Sequence, residues 1–181
     1  MIANNSFQQS VLCAFLTWGA ISASAQPIPI INADFETDLA VTRGATGWTI
    51  TQGAMYVTAG ANLNVTEPTS ASQGNNFLTA NRIAPDPDDA FPSDQTMSIY
   101  QDLSVSMFAS QIAQGGLYAK VSFSYCAPDN GDSSVVSLEF RDSGQTPLGT
   151  ASFDGTSVPT ANGVWSTATF AGAVPVTTAT I

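Results

Sequence analysis

The chain has 181 residues, with four lysines and arginines against fourteen acids, no histidine and a formal net charge of −10. Such a balance repels phosphate backbones and anionic lipid, so it argues against nucleic acid or a membrane surface as partner and favours cations and neutral ligands. Without histidine, the usual acid/base residue and the commonest zinc ligand are both missing.

The first 25 residues read as an export signal. Val11 to Ala23 is an uncharged apolar run ending in Ala23-Ser24-Ala25, the small-x-small pattern of a signal peptidase site. It falls short of the roughly 20 apolar residues that a membrane-spanning helix needs. Cleavage leaves residues 26–181 as a single domain, long enough to bury a core. That part keeps one cysteine, Cys126, so no disulfide can form within it, and with no histidine to act as base a structural thiol is expected.

After the leader, Ile28 to Phe35 reads as a short strand running into the acidic turn Asp34, Glu36, Asp38. Trp48, Ile50 and Gln52 form a second alternating segment, and Ala54 to Val65 a third, broken at Gly60. A polar loop, Pro68 to Asn76, feeds a strand at Phe77 to Ala80. Pro85 to Asp94 is too rich in proline and aspartate for regular structure. Met97 to Leu103 is again a strand. Val105, Phe108 and Ile112 recur at helical spacing, and Gly115-Gly116 supplies a stop, so one short helix is expected over 105–114.

The centre of the chain is Tyr118 to Phe140. Val121, Phe123 and Tyr125 alternate with Lys120, Ser122 and Ser124; the beat resumes at Val136, Leu138 and Phe140. With a Pro-Asp-Asn-Gly-Asp cluster between them, the two runs are expected to pair as a hairpin with one apolar and one polar face. A turn at Asp142 to Gly144 and strands at Pro147 to Phe153 and around Val164 to Phe170 follow. Short strands at this spacing indicate an all-β fold, an antiparallel sandwich or barrel. Val174 to Ile181 has the look of a strand beginning, so a sandwich lacking its last strand, cut inside the domain, is expected.

Asn32-Ala33-Asp34-Phe35-Glu36 followed by Gly47-Trp48 resembles the Asn-Gly-x-Phe-Glu…Trp opening of galactose-binding-domain-like jelly rolls. Ser98 to Leu103, the segments around Val121 to Tyr125 and Val135 to Gly144, and Ala173-Val174-Pro175 are further points of similarity, so the likeness covers nearly all of residues 26–181. It departs from the pattern at Ala33, where glycine is usual. The group includes many noncatalytic carbohydrate-binding modules of secreted bacterial proteins. The resemblance implies that Glu36, with Asn32 and Asp34, contributes to a structural calcium site completed by backbone oxygens of a loop such as 73–75. Calcium takes six to eight oxygens, of which this turn supplies only part.

Sugars are held by aromatic faces with a few planar polar groups on the hydroxyls. The candidates are Tyr56, Phe91 and Tyr100, with Gln101 as a polar partner beside Asn62 and Asn64, while Trp48 and Trp165 read as core. The polar strand positions Lys120, Ser122, Ser124, Ser137, Glu139 and Arg141 offer an alternative surface. Asp86, Asp88, Asp89 and Asp94, and likewise Asp129, Asn130 and Asp132, read as solvated turns. There is no G-x-S-x-G elbow and no phosphate loop. The expectation is a secreted, monomeric, noncatalytic carbohydrate-binding or adhesion module, extracellular or periplasmic, with no membrane span. A structural surface protein that does not bind sugar and a secreted glycan-active enzyme are the alternatives.

Overall fold

The computed structural model describes residues 25–38, 42–52, 56–58, 71–79, 98–126, 134–155, 158, 160–161 and 163–181, with backbone alone at 42–43, 56–58 and 79. The leader, Phe91 and the acidic stretches 86–94 and 129–132 lie outside these residues. Strands dominate, in small antiparallel sheets, with little helix. The all-β expectation holds at that level. No helix among the described residues is long and apolar enough to cross a membrane.

The strands are β1 (Thr42–Arg43), β2 (Thr49–Gln52), β3 (Tyr56–Thr58), β4 (Phe77–Thr79), β5 (Ser98–Tyr100), β6 (Tyr118–Tyr125), β7 (Val135–Arg141), β8 (Pro147–Asp154) and β9 (Ser166–Ala173). They form one three-stranded sheet in the order β1-β3-β4 and three pairs, β2-β5, β6-β9 and β7-β8. The expected helix is present as a 3-10 turn, Ser106–Phe108, leading into α1, Ala109–Gln114. Ile112 and the preceding Val105 bury its apolar side. It stops where expected, because Gly115 and Gly116 both take positive φ, which glycine adopts without a Cβ penalty.

The expected hairpin between 118–125 and 135–140 is not formed. β7 pairs instead with β8, and β6 with β9, in register from Tyr118 opposite Ala173 to Tyr125 opposite Ser166. The reason is local. Asp142 Oδ1 accepts the N–H groups of Gly144 (2.8 Å) and Thr146 (2.9 Å), and Gln145 takes a positive φ, so a tight turn closes β7 onto β8. β6 and β7 accordingly belong to different pairs.

Alternation then decides what meets what. Val121, Phe123 and Tyr125 of β6 and Phe170 and Gly172 of β9 lie on one side of their pair; Val136, Leu138, Phe140, Ala151 and Phe153 share a side of the other. These sides face each other. Phe123 packs edge-on against Phe153 (5.3 Å) and Phe170 (6.2 Å), and Tyr125 against Phe153 (5.0 Å). Aromatic contacts of this kind add about 0.5–1.5 kcal/mol each beyond the area they bury. Phe140 and Tyr125 are among the most buried residues, and the Tyr125 hydroxyl is satisfied by the Val158 carbonyl at 2.8 Å. The close approach requires Gly172, since a Cβ there would stand 2.6 Å from Ala151 Cβ and 3.0 Å from the Phe140 ring.

One consequence corrects the sequence reading of a single polar face. Lys120, Ser122 and Ser124 belong to the outer side of β6-β9, where Ser122 hydrogen-bonds Thr169 across the strands at 2.7 Å. Ser137, Glu139 and Arg141 belong to the outer side of β7-β8. Residues 178–181 do not form a strand. Thr180 makes isolated bridges with Ser104 and Arg141, and Ile181 exchanges backbone hydrogen bonds with Leu103 (2.8 and 3.0 Å).

Candidate functional site

The Asn32 to Asp38 segment is a turn, not the end of a strand. Asn32 (φ 51°) and Phe35 (φ 60°) are left-handed, and the Phe35 N–H donates to the Asn32 carbonyl at 3.2 Å. The sequence carried this signal: four Asx and Glu side chains in seven residues compete with the ladder by bonding nearby backbone. Here they do so fully. The Asn32 amide donates to Asp38 Oδ2 (2.6 Å) and the Thr46 carbonyl (3.2 Å), its Oδ1 accepts from Thr37 N–H (3.1 Å), and its backbone carbonyl accepts from the Trp48 indole (3.4 Å). Trp48 also packs on Phe35, ring centroids 6.0 Å apart.

Glu36 and Asp38 each fasten this turn to a different segment. Glu36 Oε1 accepts the N–H groups of Asn75 and Asn76, both at 2.6 Å, and Oε2 the Asn75 amide at 3.2 Å. The two backbone donors, Asn76 first and then Asn75, hold its carboxyl below the ordinary carboxylate range. Gly74 makes room for it: φ is +68°, and a Cβ there would lie 2.5 Å from Glu36 Oε1. Asp38 is buried and accepts the Thr46 hydroxyl (2.6 Å) and N–H (3.0 Å) besides the Asn32 amide. The Thr46 hydroxyl is the main reason its carboxyl is also held low, against burial, which pushes it up. Sequence reading placed Glu36 in a calcium site and did not assign Asp38 a role.

Asn32, Asp34 and Glu36, the expected calcium ligands, thus share one turn, in which an oxygen of each side chain accepts a backbone N–H. Glu36 Oε1, Asn32 Oδ1 and Asp34 Oδ1 all face N–H donors, the last that of Glu36 at 3.2 Å. Among the described residues no group of three or more His, Cys, Asp or Glu side chains is placed to hold a metal ion. Titrating calcium into chelated protein tests the ion the resemblance implies: a rise in melting temperature that Glu36→Ala abolishes would put it at this turn, and an unchanged melt would remove it.

Of the expected sugar-binding residues, Tyr56 lies in β3 opposite Arg43 and Thr79, described by its backbone alone, and Phe91 is outside the described residues. Gln101 is placed where its amide serves the fold. Oε1 accepts the Ile31 N–H (2.8 Å), and Nε2 donates to the carbonyls of Ile31 (3.2 Å) and Gly47 (2.7 Å). Tyr100, its neighbour in β5, is 39% exposed and stands across from Thr49 of β2.

Two residues past Tyr100, Asp102 belongs to a charged cluster that the sequence suggested only as strand polarity. Arg141 bridges Asp102 (Nη1 to Oδ1, 3.1 Å) and Glu139 (Nε to Oε1, 2.5 Å), with the three side chains 28%, 52% and 42% exposed. The Glu139 hydrogen bond, followed by the charges of Glu139 and Asp102, raises the already high pKa of Arg141. Asp102 was masked in the sequence by its distance from Arg141; the signal was the strand parity that puts Glu139 and Arg141 on one face. Ala179 and Thr180 also bond the Arg141 backbone, which fixes the position of its side chain's base. An exposed aromatic next to a fixed set of planar donors and acceptors can stack on an apolar ring face and bind hydroxyls.

Cys126 takes the Thr160 hydroxyl at 3.6 Å, a packing arrangement with no base beside it among the described residues. Compared with known proteins, the chain matches no family model, no curated protein and no solved structure.

Proposed function

We propose that the chain is an exported, noncatalytic carbohydrate-binding or adhesion module on a jelly-roll sandwich of the galactose-binding-like type. The observation that supports it is Tyr100, partly exposed at the rim of the β2-β5 pair, beside the Asp102–Arg141–Glu139 set. The face-to-face packing of β6-β9 on β7-β8 is what two layers of such a sandwich require. The Tyr100 ring supplies the stacking platform, and the ion-paired side chains supply directed donors and acceptors for hydroxyls. Tyr100→Ala is expected to weaken retention on the bound polysaccharide at least tenfold, about 1.4 kcal/mol, in affinity electrophoresis, with the melting temperature little changed. Equal retention of both proteins would remove Tyr100 from the reading.

A structural surface protein without sugar binding is the second reading. It is favoured by one observation: Gln101, Glu36 and Asp38, the polar side chains that stand out in the sequence, are spent on holding backbone. A glycan array on which neither the protein nor its Tyr100→Ala variant gives a signal would decide for it.

A further inference from the structure

Resting on the carbohydrate reading, we propose that the Tyr100 surface takes uncharged sugars and turns away uronates and other acidic glycans. The argument is the way Arg141 is committed. A guanidinium grips a carboxylate through two parallel N–H bonds, using either Nε with one terminal nitrogen or the two terminal nitrogens together. In Arg141, Nε is bound to Glu139, which takes the edge it shares with a terminal nitrogen, and Nη1 gives one of its two N–H groups to Asp102. The N–H groups left on Nη1 and Nη2 can donate to hydroxyl oxygens, whereas an incoming carboxylate meets the Glu139 and Asp102 carboxylates already paired to the same guanidinium.

The acceptors are placed in the complementary way. Asp102 uses Oδ1 and Glu139 uses Oε1 on the arginine, leaving Oδ2 and Oε2, on side chains about half exposed, to accept from sugar hydroxyls. Two carboxylates and one guanidinium leave one negative charge beside the tyrosine, within a chain of net charge −10. At low salt an acidic polymer is repelled by both. Lys120, the other cation whose side chain is described, lies on the outer side of β6-β9 and not on the β7-β8 face that carries Glu139 and Arg141.

The test is affinity electrophoresis of the full chain at about 20 mM ionic strength, where the Debye length exceeds roughly 20 Å. The gels contain neutral polysaccharides (a mixed-linkage glucan, a xylan, a galactomannan) or polyuronates (polygalacturonate, alginate). Retardation is expected in at least one neutral gel, reduced tenfold or more by Tyr100→Ala, with none in the polyuronates. Asp102→Asn with Glu139→Gln, which frees both edges of Arg141 and removes two negative charges, is expected to weaken the neutral interaction and create retardation by polyuronate. Should that pair of changes prevent folding, Asp102→Asn alone, at an exposed side chain, is expected to shift both in the same direction. Polyuronate retardation of the unaltered protein, lost in Tyr100→Ala, would overturn the selectivity while leaving carbohydrate binding at this surface intact. Retardation by no polysaccharide would overturn the carbohydrate reading and the selectivity with it.

Discussion

Phe140→Ala is expected to cost about 3–5 kcal/mol, the range for removing a buried aromatic ring. Phe140 is 2% exposed, and its ring lies against Gly172 where the β6-β9 and β7-β8 pairs meet. The void cannot easily be closed, because the backbones there are already as near as glycine allows. Gly172→Val approaches the same contact from the other side: its Cβ alone would stand 2.6 Å from Ala151 Cβ, so overpacking is expected to cost about 1–3 kcal/mol or more. Denaturant melts of both variants check this. Phe140→Ala with an unchanged midpoint would mean that the two pairs do not share a core.

The second large effect concerns acid. Asp38→Ala is expected to cost roughly 4–5 kcal/mol, taking about 1.5 kcal/mol for each of three hydrogen bonds to a charged acceptor. It removes a buried acceptor of the Thr46 hydroxyl, the Thr46 N–H and the Asn32 amide together. Both Glu36 and Asp38 have carboxyl pKa values below those of an unfolded chain. The folded protein therefore binds fewer protons than the unfolded one in this range, so their contribution is complete above the unfolded values near pH 4 and is lost as pH falls through the folded ones. With no histidine in the chain, stability is expected to be flat between about pH 6 and 8 and to fall steeply below about pH 4. Urea melts across that range check the shape. Asp38→Asn and Glu36→Gln should each flatten the acid arm; an arm of unchanged slope in both would mean that other carboxylates govern it.

The strands were largely legible because alternation is a local property. Val121-Phe123-Tyr125 and Val136-Leu138-Phe140 had to be strands with one apolar side, whichever neighbour they took. The neighbours were not legible. Alternation is blind to partner, and the choice fell to the Asp142 turn, whose side chain closes β7 on β8 through two N–H groups. The acidic turn at Asp34 to Asp38 is present, but the strand expected over Ile28 to Phe35 is not, because the left-handed Asn32 and Phe35 end any ladder there. Glu36 stood out in the sequence, yet its partners are backbone N–H groups 39 and 40 residues away, which no side-chain pattern announces. The Tyr100 surface was half legible: the ring was named, but Asp102 reaches Arg141 only through the fold.

The Gln101 amide presents to Ile31 the same donor and acceptor that a neighbouring peptide would, and so stands in for a missing strand. Ile31, which follows residues 25–30 with no regular structure of their own, is thus gripped at its backbone by a side chain whose two ends must be chemically different. Gln101→Glu changes one atom and no shape, yet it would set an oxygen against the carbonyls of Ile31 and Gly47. The arm before Ile31 should then come loose and be trimmed by protease while the remainder of the protein stays folded.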